Sequence, residues 1–135
     1  MPTKAQSARA VVEQLTATIN AHDPAAGAVL FASDARLVSA GGRMFSLAGL
    51  GQLLADSLVA FPDLQVKVTR WVEDGDLVVT EEVMEGTHRG DFAGLSPTGR
   101  RVRLAMAHVT RVKDGRIVER IAYHDTAGIL RQLRT

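Results

Sequence analysis

The sequence contains no cysteine. Disulfide bonds, thiolate nucleophiles and thiolate metal sites are thereby excluded, while the compartment is left open. It also lacks a charge excess: sixteen lysines and arginines stand against fifteen aspartates and glutamates, a formal net charge of +1. A nucleic-acid-binding surface normally carries a marked basic surplus, so no nucleic-acid partner is expected. No stretch approaches the roughly 18 apolar residues of a membrane-spanning helix, so no membrane partner is expected either. The opening residues MPTKAQSARA lack the continuous apolar segment of a secretory signal. A soluble cytoplasmic protein is the expectation.

What the chain does have is an ordinary globular composition over 135 residues, 46% hydrophobic and 23% charged. A chain of this length buries roughly two-thirds of its unfolded surface, enough to hold a core without metal or disulfide. With no linker, repeat or low-complexity run, one domain over residues 1–135 is expected.

Two periodicities divide the chain. Ala8, Val11, Val12, Leu15 and Ile19 recur at helical spacing, and Asp23-Pro24 starts a second helix running to Phe31. Ser46 is a candidate cap for a third helix, with Leu50, Leu53, Leu54, Leu58 and Phe61 on one face and Pro62 as its stop. Between these helices, Arg36 to Ser39 reads as a brief strand broken by Gly41-Gly42. After Pro62 the period becomes two, with Leu64, Val66 and Val68 alternating with polar residues. Asp74-Gly75 signals a hairpin into Leu77 to His88, a loop spans Gly90 to Gly99, and Lys113-Asp114-Gly115 joins two further strands. Thr126 to Leu133 closes as a short helix.

Helices first and four long antiparallel strands after them make an α+β order. Strands this long must curl, and helices laid over the concave side leave a cavity. The expected architecture is a cone: a curved antiparallel sheet wrapped around N-terminal helices and enclosing a pocket.

Several motifs sharpen this picture. The C-terminal half carries GTHRG and GLSPTG turns, a strand ending in AHVTRV, the hairpin KDGRIVE and a closing D-x-x-G-x-L-R-Q-L; upstream lie AFPDL and INAHDP. This pattern resembles the SnoaL-like polyketide cyclases over most of the chain, most strongly over residues 60 to 133. The resemblance implies the fold shared with ketosteroid isomerases and a homodimer formed through the sheet. The superfamily includes cyclases, isomerases, epoxide hydrolases, hydroxylases and binders, so fold alone does not choose a reaction.

His108 is the leading candidate for chemistry. It shares a strand face with Val102, Leu104, Met106 and Thr110, and an imidazole in an apolar pocket can exchange protons near neutrality. The resemblance implies that a histidine here helps stabilise the reacting carbonyl region of the substrate.

Hairpin register decides which residues face it. A two-residue turn sets Ile121 opposite His108; a three-residue turn sets Arg120 opposite it and Met106 against Ala122. The second agrees with the resemblance and is expected. The family's acid–base aspartate then corresponds to Ala122, and another polar pocket position corresponds to Met106. Alanine moves no proton, so a cyclase here needs its acid from elsewhere.

Asp125 is the nearest carboxylate, as a catalytic partner of His108 or as a helix cap. His124 and Arg120 fall on the pocket face; a buried arginine needs an anion, either an acidic ligand group or an internal partner such as Glu82. His88 lines the pocket mouth or braces the following loop. Trp71, like Phe92, offers a flat apolar surface to a ligand or to the core. Glu81 and Glu82 are adjacent, so they face opposite sides of a strand and form no carboxylate pair.

No HxH or HxxxH spacing links the four histidines, so no metal is expected, and no phosphate-binding glycine motif or Gly-x-Ser-x-Gly element occurs. Two functions fit. One is a cofactor-independent enzyme acting on a hydrophobic carbonyl compound, such as an intramolecular aldol cyclisation of a polyketide. The other is a small-molecule binder that has lost the cyclase acid. A carboxylate within reach of His108 discriminates them.

Overall fold

The structure is a computed structural model that describes residues 7–134. Side-chain caps set three helix starts. Oγ of Ser7 accepts the Ala10 N–H at 3.1 Å and opens α1 (Ala8–Asn20). Asp23 does the same for α2 (Pro24–Ala28), and Ser46 for α3 (Leu47–Ala60). Each such cap contributes about 1 kcal/mol by satisfying a backbone donor that the helix itself leaves free. The second helix was expected to reach Phe31 but ends at Ala28. The carbonyl of Leu30 accepts the Ile117 N–H at 2.8 Å, which draws the chain into the sheet.

Phe31 thus begins β1 (Phe31–Ser39), longer than the brief strand the sequence suggests. It is followed by β2 (Met44–Phe45), β3 (Gln65–Asp74), β4 (Leu77–Thr87), β5 (Arg101–Lys113) and β6 (Arg116–His124), and α4 (Thr126–Arg134) closes the chain. The six strands lie in the order β2-β1-β6-β5-β4-β3. All neighbours are antiparallel except β1 and β6, which run parallel, so the sheet is mixed rather than purely antiparallel as expected. Period-two patterning marks a strand but carries no information on the direction of a partner eighty residues away.

Burial alternates along β4: Val78, Thr80, Glu82, Met84 and Gly86 are buried, while their neighbours are not. The inward face packs in two clusters. One joins Val11, Val12 and Leu15 of α1 to Phe31, Leu37, Val78, Val112 and Ile117. The other joins Phe61, Leu64, Met84, Val102 and Leu104 to Ile129 and Leu133 of α4. Asn20 ties α1 to the sheet, its side-chain amide bonding both the N–H and the C=O of Val66 at 2.7 and 2.8 Å. Of α3 only Ala60 is buried; Leu50 and Leu54 look into a cavity instead of a filled core.

The β5–β6 hairpin settles the register. Asp114 and Gly115 form a two-residue turn between Lys113 and Arg116, both with positive φ (52° and 75°). A bulge follows: Val112 pairs with Ile117 but Arg111 with Glu119, leaving Val118 over. His108 therefore stands opposite Ala122, not Arg120 as expected; Thr110 faces Arg120 and Met106 faces His124. The inward-facing set of β6 residues is the expected one, because the extra residue restores the parity that the shorter turn removes.

Candidate active site

Between the sheet and helices α1 to α3 lies a cavity of about 360 Å³, within the range of small-molecule sites. Leu15 and Ile19 of α1, Leu50 and Leu54 of α3, Phe61, Phe92, Met84, Leu104 and Met106 give it an apolar wall. Its ionisable groups, Glu82, His108, Arg120 and His124, come from three adjacent strands, β4, β5 and β6.

Cross-strand geometry assembles this group. Glu82 pairs with Met106, which places its side chain diagonal to His108 on the same face. Oε2 of Glu82 lies 2.5 Å from Nδ1 of His108, and Oγ1 of Thr80 donates to the same oxygen at 2.7 Å. Arg120 donates to Oγ1 of Thr110 at 2.7 Å and approaches Oε2 of Glu82 at 4.0 Å. Nε2 of His108 is 3.2 Å from Nε2 of His124, which stands at the exposed rim.

Burial shapes the charges. Glu82 is 4% exposed, and burial works against its ionisation, but the His108 hydrogen bond and charge, Arg120 and Thr80 outweigh it and carry the carboxyl down to about 2. Burial, then the Arg120 charge, lowers His108 to about 4 against the pull of Glu82. Burial lowers His124 as well. Burial also lowers Arg120, with Glu82 opposing. At neutral pH the site thus holds an ionised carboxylate, a charged guanidinium and two neutral imidazoles. An imidazole held by a carboxylate on Nδ1 and by a second imidazole on Nε2, at the wall of a cavity, suits proton transfer.

The remaining candidates lie elsewhere. Asp125 is exposed and accepts the Gly128 N–H at 3.0 Å at the start of α4, with Arg131 3.8 Å away. The structure gives it to the helix cap. Trp71 sits outside the cavity wall: a bulge at Thr69 turns it over α1, where Arg9 stacks on its ring at 4.6 Å. His88 is fully buried, its Nδ1 bonded by the Thr98 N–H at 3.2 Å and its ring 5.8 Å from that of Phe61. It braces the loop over residues 89–99 rather than forming the cavity wall. Among the described residues no three His, Asp or Glu side chains gather as a metal site would need, and no helix is long and apolar enough to cross a membrane.

The sequence reading treated Glu82 only as a counter-ion for Arg120 and missed it as the partner of His108. On the inward face of β4, beside Val78 and Met84, it is the lone charge, but which of Glu81 and Glu82 points inward follows only from the pairing with β5.

A sequence profile of the SnoaL-like polyketide cyclases matches residues 9–133. The chain belongs to this family. The nogalonic acid methyl ester cyclase of Streptomyces nogalater is 34% identical over 71 residues, 53% of this chain and 53% of that one. The match spans about half the length of that relative. Wild-type IdmH, a proposed polyketide cyclase from Streptomyces antibioticus, superposes with a TM-score of 0.88 at 31% identity, covering 96% of this chain and all of that one (100%). AclR, a proposed hydroxylase from Streptomyces galilaeus, also superposes at 0.88, with 28% identity over 93% of this chain and 80% of that one. The fold is the ketosteroid isomerase-like one. In this SnoaL-like chain Ala122 of β6 stands directly across from His108, and the carboxylate reaches that histidine from the opposite side, on β4.

Proposed function

We propose that this SnoaL-like protein is a cofactor-independent acid–base enzyme that cyclises a polyketide-type carbonyl compound by intramolecular aldol addition. The observation that supports it most is the Glu82–His108 pair at the polar side of an apolar cavity. As substrate enters and displaces His124 from it, Nε2 of His108 takes a proton from the carbon next to a carbonyl; the C–H bond breaks and an N–H bond forms. Glu82 holds the ring in place and stabilises the imidazolium, and Arg120 adds fixed positive charge near the developing enolate. The enolate carbon attacks a second carbonyl of the same molecule, and the imidazolium returns its proton to the new alkoxide. Product and substrate have the same mass, and no electrons change hands.

The test is to incubate the protein with polyketide methyl esters, as the name of the S. nogalater relative suggests, in deuterated water. Deuterium at the carbon next to the carbonyl and a cyclised isomer are expected. Binding without either would move the assignment to the second reading, a small-molecule binder, which the methyl group of Ala122 favours.

The outer face of the sheet supports a homodimer. Val79, Val109 and Ile121 lie side by side across β4, β5 and β6 on that face, with Ala107 and the exposed Tyr123 next to them.

A further inference from the structure

The two Nε2 atoms of His108 and His124 are 3.2 Å apart, their rings edge to face with centroids at 5.2 Å. One nitrogen must carry the hydrogen and the other the lone pair. Glu82 decides which. Its ionised Oε2 is an acceptor, so Nδ1 of His108 holds the hydrogen and Nε2 of the neutral ring is left with the lone pair. Nε2 of His124 is then the donor, and its Nδ1 carries a lone pair.

Both nitrogens of His108 are therefore engaged, one by a carboxylate only 4% exposed and the other by a histidine at the rim. A proton that enters or leaves His108 from solvent has one open side. We propose that His124 is a proton relay between solvent at the cavity rim and Nε2 of His108. The idea rests on His108 being the acid–base group of the proposed reaction.

The step balances within the two rings. A solvent acid protonates Nδ1 of His124; the Nε2–H bond of His124 breaks as an Nε2–H bond forms on His108. His124 ends neutral with its hydrogen on Nδ1, and His108 ends as the imidazolium against Glu82. The reverse sequence discharges a proton to solvent. His124 faces Met106 across the strands, and Glu82 and Arg120 are the charged groups that act on it, in opposite directions. Glu82 favours the cationic relay state and Arg120 opposes it, so the charge is transient rather than trapped.

The relay predicts a tautomer pair and an exchange rate, both readable by ¹⁵N NMR of histidine-labelled protein without substrate. Near neutral pH, the hydrogen is expected on Nδ1 of His108 and on Nε2 of His124. His124→Gln keeps a donor against His108 but cannot pass a proton on. Relaxation dispersion should show exchange between neutral and protonated His108 slowed about a hundredfold in that variant, the low end of what a positioned acid–base group supplies. Reversed tautomers in the wild type, or an unchanged exchange rate in His124→Gln, overturn the relay; a packing role alone leaves the rate untouched. Failure of the aldol reading is separate: it appears as absent turnover in the wild type while the NMR result stands.

Discussion

Oε2 of Glu82 accepts from two side chains at once, Nδ1 of His108 at 2.5 Å and Oγ1 of Thr80 at 2.7 Å. A carboxylate so engaged serves as an orienting anion for the imidazole. Glu82→Gln removes the charge and keeps the shape. It should lower turnover about a hundredfold or more. Leaving Arg120 buried without its counter-ion should cost about 3 kcal/mol in stability, seen as a lower urea midpoint. Full activity in a folded Glu82→Gln protein would remove Glu82 from the mechanism.

His108→Asn leaves the apolar cavity in place and takes away the proton acceptor. Cyclisation is expected to drop by about 10²–10⁴-fold while binding of the same methyl ester, followed by calorimetry, persists. Equal loss of binding and turnover points to a His108 that merely shapes the cavity.

Ala122, the position to which the family resemblance assigns the acid, stands directly opposite His108. In the wild-type background Ala122→Asp puts a second carboxylate near Glu82, and like charges oppose each other. It should therefore destabilise the protein at neutral pH without raising activity. In the Glu82→Gln background the same substitution should restore part of the lost turnover. No rescue in the double variant means the two carboxylate positions are not interchangeable.

Stability should fall on acidification in two stages. His108 is lowered to about 4 by burial and Arg120, so below its unfolded value of 6.5 the unfolded chain binds the proton first. Stability is lost from there down to about 4. Glu82 is lowered to about 2, so its contribution is present above 4.5 and is lost as pH falls towards 2. Thermal melts between pH 7 and 3 check both; in Glu82→Gln the lower stage should shrink.

Asp125→Ala separates capping from catalysis. Loss of the bond to the Gly128 N–H should cost about 1 kcal/mol with little change in turnover. On the outer face, Val109→Glu puts a charge between Val79 and Ile121. Light scattering is expected to report a dimer for the wild type and a monomer for the variant; a wild-type monomer refutes the sheet interface.

The helices, the positions of the two hairpins and the inward face of β5 were legible because each rests on local periodicity and turn signals, but the turn length and bulge of the β5–β6 hairpin were not. Asp23 and Ser46 cap as short polar side chains do, and Asp114-Gly115 takes the left-handed conformations those residues tolerate. The parallel docking of β1 on β6 was not legible, since it depends on contacts between distant segments. Glu82 was missed for a related reason. Valines occupy both faces of β4, so the run VVTEEVM does not say which glutamate points inward. Only the pairing with β5, across a long loop, resolves it.

Val118 has no counterpart on β5, and that one surplus residue has a wider meaning. Every cavity group contributed by β6 depends on an arithmetic of backbone length. Pairing Val118 into the ladder opposite Arg111, with the bulge lost, would bring Glu119, Ile121 and Tyr123 to the interior and turn Arg120, Ala122 and His124 out. Point changes within this strand can retune the chemistry one side chain at a time, as Ala122 illustrates. Smoothing the bulge while Val118 stays inverts the whole set, whereas removing Val118 with its bulge leaves Arg120, Ala122 and His124 facing inward. The cavity chemistry therefore depends on keeping the surplus residue out of the ladder.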